Sequence, residues 1–106
     1  MSRPLNVRIA PYSWDVVWSR NTVLHFHPED DACGACDAAS LTIAIDPGDA
    51  EDYNRATLLH EILHACLRSS DPTVDDEQEE MIVAAITGPL LSTLKDNPEL
   101  IEYLTE

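Results

Sequence analysis

Residues 60–64 read His-Glu-Ile-Leu-His, the stretch of this 106-residue chain whose residue types and spacing most directly spell out chemistry. On a helix, residues four apart lie one turn apart on the same face, so the imidazoles of His60 and His64 can reach a single metal ion. Glu61 sits about 100° round the helix from His60, near enough to touch a water at the metal without becoming a ligand. Two imidazoles with an adjacent carboxylate base are the core of a zinc hydrolase site. Such a site still needs a third protein ligand and an open coordination position.

The elements that must position these groups fall into two halves. Residues 5–9 alternate apolar and polar as a half-buried strand does, and residues 14–18 and 22–26 are rich in β-branched and aromatic side chains. Residues 29–39 are acidic and small, which predicts a loop. Residues 41–45 (Leu-Thr-Ile-Ala-Ile) are the clearest strand, closed by the turn Asp46-Pro47-Gly48-Asp49. A helix capped by Asp52 or Asn54 runs to about Ser69 and carries the metal motif. Its apolar residues spread round much of its circumference, which predicts burial between a sheet and another helix. Asp71-Pro72 breaks the chain, and a second helix runs from about Asp75 to Lys95. Asn97-Pro98 caps and starts a short terminal helix. Strands first and helices second predict an α+β domain spanning residues 1–106: a small antiparallel or mixed sheet of three to four strands packed on the central motif helix, a second long helix and a short C-terminal helix.

No histidine follows His64, so a third imidazole would have to be His25 or His27. A carboxylate from the second helix is the better candidate. Its apolar stripe of Ile82, Val83, Ile86, Leu90 and Leu94 centres about 20° from the direction of Glu79 and about 80° from that of Glu80. Glu79 is therefore the first choice and Glu80 the second, with Asp75 and Asp76 behind them. Elsewhere, Cys33-Gly34-Ala35-Cys36 follows His25 and His27, a ligand set with the types and rough spacing of a small second zinc site. The same thiols read more simply as ordinary loop cysteines, and Cys66 as a core residue. Trp14 and Trp18 read as sheet anchors.

Composition narrows the partners. Six basic residues against twenty acidic ones give a formal charge of −14, a field that repels nucleic acid and anionic membrane. No stretch reaches membrane-spanning length, and residues 1–14 lack the apolar core of a secretory signal. An odd number of cysteines without such a signal predicts reduced thiols and a cytoplasmic location.

The sequence TLLHEILHACL followed by EEMIVAAITGPLLSTLKDNPEL resembles a zincin metallopeptidase of the gluzincin type at minimal size. More narrowly, it is similar to small HExxH proteins of tailed bacteriophages and prophages. Leu67 stands where metzincins require glycine, which sets that family aside. The resemblance covers residues 41–45 and most of 57–104. It implies zinc held by His60, His64 and Glu79 (or Glu80), Glu61 as general base, a protein or peptide substrate, and the host cytoplasm if the chain is phage-encoded. It also implies a short sheet stacked on the metal helix; the strand at 41–45 would offer an edge to an extended peptide. Tyr53, Tyr103 and Arg68 are available to stabilise an oxyanion, and the sequence does not choose among them.

Overall fold

The computed structural model describes residues 2–70 and 73–106, and the break at Asp71-Pro72 lies outside them. The architecture is α+β: a four-stranded mixed sheet in the N-terminal half and four helices, two of them long. In chain order the elements are β1 (Asn6–Ile9), β2 (Tyr12–Trp18), α1 (Arg20–Phe26), β3 (Gly34–Asp37), β4 (Thr42–Ile45), α2 (Glu51–Ser70), α3 (Asp76–Asp96) and α4 (Pro98–Leu104). The sheet order is β1-β2-β4-β3. β1 and β2 form a hairpin with Ile9 opposite Tyr12, β2 and β4 run parallel, and β3 pairs antiparallel with β4.

Residues 22–26, expected as a strand, lie in α1. Val16 and Val17 of β2 pair in parallel with Ile43 and Ala44 of β4, and parallel neighbours need a crossover connection. α1 lies within that crossover. Ser19 caps it, its Oγ accepting from the Thr22 N–H at 3.3 Å, and this overrides the β-prone composition of Thr-Val-Leu-His-Phe. Val23 is fully buried where α1 meets β3 and β4. The predicted loop at 29–39 also needs correction, because Gly34–Asp37 forms the edge strand β3. Strand character there comes from pairing with β4, which the small residues of the segment do not advertise.

On the opposite face of the sheet, Trp14 and Val16 of β2 and Ile43 and Ile45 of β4 pack against Ala65 of α2. Leu58 and Ile62 close the edges of that core. Trp14 is 2% exposed, while Trp18 donates its indole N–H to the Pro4 carbonyl at 2.8 Å under the Arg3 guanidinium. Leu41, expected as the first residue of the strand, takes a left-handed conformation (φ 52°) and the strand begins at Thr42. Asp37 holds this turn, accepting from both the N–H and the hydroxyl of Ser40.

α2 starts at Glu51, a little before the expected caps. Asn54 is buried instead and donates to the Asp49 carbonyl. α2 lies between the sheet and α3, as its all-round apolar character predicts. The inner face of α3 is not the expected stripe. Its buried residues are Glu79, Val83 and Thr87, successive turns of one face, while Ile82 and Ile86 are each 41% exposed. Asp75 caps α3 through a 2.8 Å bond from the Gln78 N–H. At Asn97 the side chain donates back to the Thr93 carbonyl and does not cap α4. Among the described residues, no helix is long and apolar enough to cross a membrane.

Candidate metal centre and cleft

Three pieces of local structure build the site. The middle of α2 presents His60, Glu61 and His64; the first turns of α3 present Glu79 and Glu80; β3 supplies a wall. His60 Nε2 and His64 Nε2 lie 3.2 Å apart. Glu80 reaches both, with Oε1 3.3 Å from His60 Nε2 and Oε2 2.8 Å from His64 Nε2. Among the described residues, His60, His64 and Glu80 form the only group of three or more metal-ligating side chains whose donor atoms converge.

Their chemistry suits a metal. Bonds of about 2.0–2.1 Å in a tetrahedron imply ligand-to-ligand edges of about 3.3 Å, close to the 3.2 Å between the two Nε2 atoms. Burial, opposed by Glu80 and assisted by His64, lowers the His60 pKa and keeps that imidazole neutral with its lone pair available. His64 is oriented from behind. Its Nδ1–H donates to Glu79 Oε2 at 2.9 Å, and Nε2 faces Glu80 and His60. A carboxylate on the far nitrogen of a ligating imidazole fixes both tautomer and ring plane.

Of the two glutamates expected as third ligand, Glu80 is the one whose carboxylate converges with His60 and His64. Helix α3 meets α2 through the Glu79–Val83–Thr87 face, so Glu79, 4% exposed, is buried beneath His64. The donor atoms converge on the flank of that contact. Glu80, about 100° further round the helix, swings over the open side and reaches both Nε2 atoms.

Glu61 is 7% exposed and turns toward β3. Gly34 makes room for it: a Cβ at that position would stand 2.9 Å from Glu61 Oε2 and 2.8 Å from Thr57 Cγ2. Burial, partly offset by His64 and reinforced by Glu80, pushes the Glu61 carboxyl up to about 7. A carboxyl in that range can accept and return a proton near neutral pH.

Cavities open on both sides of this wall. One, of about 320 Å³, is lined by Asp31, Tyr53, Thr57 and Thr87 together with His60 and Glu61. The other, of about 350 Å³, takes in His27, Cys36 and Arg68 with His60, His64 and Glu80. Both share Gly34, His60 and Glu61, so Glu61 stands at the middle of the trough that the two adjacent cavities make.

The polar edge of β3 faces this trough. The Asp46 N–H donates to the Cys33 carbonyl, which makes Cys33 and Asp46 a hydrogen-bonded pair. Antiparallel ladders alternate, so Ala35 and Asp37 also turn their backbone groups to β4, while Gly34 and Cys36 turn theirs outward. The Cys36 carbonyl meets Arg68 Nη1 there at 2.9 Å. β4, by contrast, lies between β2 and β3, so both its edges are taken; the peptide-pairing edge expected at residues 41–45 is not free, and the edge strand on this side is β3.

The set Cys33, Cys36, His25 and His27 is not brought together. His25 lies in the last turn of α1 with its ring edge-on to Phe26, and His27 caps that helix and lines a cavity. Cys33 Sγ lies 3.6 Å from the Tyr53 hydroxyl. Cys36 packs against the sheet core, where burial pushes its thiol up to about 12. Of the three oxyanion candidates, Tyr53 and Arg68 line the trough; Tyr103, 75% exposed on α4, lines neither cavity. Sequence reasoning missed Gly34, whose signal was a glycine inside a motif read only for its thiols. Compared with known protein families, with curated proteins and with solved structures, the chain matches none.

Proposed function

We propose that this chain is a zinc-dependent metallopeptidase of minimal, gluzincin-like form acting on a protein or peptide. The observation that carries the reading is the convergence of His60, His64 and Glu80 directly beside Glu61, which is buried against Gly34 of β3. Zinc, held by the two Nε2 atoms and the Glu80 carboxylate, would supply Lewis acidity that activates a water and polarises a carbonyl. Glu61 takes a proton from the attacking water and delivers it to the departing amine. An extended peptide lies along the outward N–H and C=O of Gly34, which places its backbone against the base. Tyr53 on one side and Arg68 on the other are within the trough to donate to a developing oxyanion. The location expected is the cytoplasm, that of the host if the chain is phage-encoded.

Metal analysis of the purified protein should give about one zinc per chain, lost in His60→Ala and His64→Ala. Glu61→Gln should keep zinc and abolish cleavage of a peptide library. Undiminished cleavage by that variant removes Glu61 as the base.

A second reading has its own observation. Ile82, Ile86, Leu100, Ile101 and Leu104 are exposed along α3 and α4, a surface that suits a catalytically silent zinc-binding protein serving phage regulation or assembly. Tight zinc binding together with no cleavage of any library peptide favours this alternative.

A further inference from the structure

Arg68 follows His64 by one turn on α2 and is one of only six basic side chains in the chain. It binds two elements at once. Its Nε donates to Glu79 Oε2 at 3.2 Å, the same oxygen that receives the His64 Nδ1–H at 2.9 Å. Its Nη1 donates to the Cys36 carbonyl at 2.9 Å, on the outward edge of β3. A continuous path of hydrogen bonds therefore runs from the edge strand through one guanidinium and one buried carboxylate to the back of a metal-site imidazole. The planar guanidinium holds its donors in fixed directions, so the two bonds constrain each other.

We propose that Arg68 is a positioning residue that couples the β3 edge to His64. It rests on the metal reading above but not on peptidase activity. Metal capture at His64 Nε2 fixes the imidazole and, through Nδ1–H, the Glu79 carboxylate, which in turn restricts where Arg68 and the Cys36 carbonyl it holds can sit. In the reverse direction, a ligand pairing with β3 braces the imidazole. A residue that merely balanced the Glu79 charge would be replaceable by lysine. One that spans two acceptors would not, because an ammonium has no fixed pair of directions.

The test is zinc binding and amide exchange on the full chain, with unmutated protein, Arg68→Gln and Arg68→Lys, each first checked for a cooperative melt. Zinc should slow exchange of the Ala35 and Asp37 amides in the unmutated protein. Both variants should bind zinc about 10–100-fold more weakly, the cost typical of losing a residue behind a ligand. At saturating zinc, neither should show the slowing at β3. Glu79→Gln, which breaks the path at its other joint, should lose the slowing as well and serves if the Arg68 variants melt poorly. Full recovery by Arg68→Lys, or zinc-dependent slowing that survives in Arg68→Gln, overturns the coupling alone. Absence of zinc binding in the unmutated chain overturns the metal reading and the coupling with it.

Discussion

Replacing Gly34 by alanine tests how the base is held. The added Cβ would stand 2.8 Å from Thr57 Cγ2 and 2.9 Å from Glu61 Oε2. Carbon pairs settle at about 3.5–4.0 Å, so the overlap with Thr57 is about 0.7 Å or more. Overpacking of this kind costs about 1–3 kcal/mol. Gly34 has no left-handed φ, so the usual entropic gain of Gly→Ala, about 0.4–1 kcal/mol, still applies and offsets part of the cost. The net expectation is a loss of about 1–2 kcal/mol, or roughly 5–10 °C in Tm for a domain of this size. Thermal melts of Gly34→Ala and of Gly34→Ala/Thr57→Ser separate the two clashes. Serine removes Cγ2 yet keeps the hydroxyl that donates to the Tyr53 carbonyl, so the double variant should regain most of the stability. Glu61 would still be displaced, so hydrolysis should stay low while zinc affinity remains within about threefold, since no ligand is touched. A Gly34→Ala protein as stable as the parent, with Glu61 unmoved, refutes the reasoning.

Glu61→Gln should change how the metal-free protein responds to pH. Its folded pKa of about 7 exceeds the ordinary carboxylate value of 4.5, so the folded state binds the extra proton between those values. Stability of the parent therefore falls as pH rises from about 4.5 to about 7, and the glutamine variant should be more stable by about 1–3 kcal/mol at pH 8 yet similar at pH 4.5. Urea melts at the two pH values check this, and equal curves at pH 8 contradict it. Glu80→Gln should weaken zinc binding more than Glu79→Gln does, because the first removes a ligand and the second a brace; competition titration with a chromophoric chelator decides the order. Asp75→Ala removes the α3 cap, costing about 1 kcal/mol. It should also weaken zinc binding modestly by loosening the turn that carries Glu80; unchanged zinc affinity would show that turn to be held by packing alone.

Much of this architecture is written in local pattern. The helical period around His60 and His64, the alternation in β1 and the apolar run of β4 each report on a single element, and each was legible. Elements defined by their partners were not. α1 has a strand-like composition and is helical because a parallel β2–β4 pair requires a crossover. β3 is made of glycine, alanine, cysteine and aspartate and is a strand because β4 lies beside it. The order of the two candidate third ligands, Glu79 before Glu80, departs from the observed convergence for a related reason. The stripe of Ile82, Val83, Ile86, Leu90 and Leu94 suggested an inward face centred near Glu79, and Glu79 is indeed inward, as is Val83. The converging donor atoms lie at the rim of the helix contact, where Glu80 reaches, and rim positions leave no mark in an apolar period.

All three converging side chains belong to the α2–α3 pair, whereas the wall behind Glu61 comes from β3. The two helices follow one another in the chain, so bringing Glu80 to His64 closes only a short loop, at little entropic cost. An ion bound there would act as a clasp on the helical pair. The sheet must dock before Glu61 is enclosed. Assembly of the ion's cage and dehydration of the acid are thus separate events along the folding route, the first local and the second dependent on contacts distant in sequence.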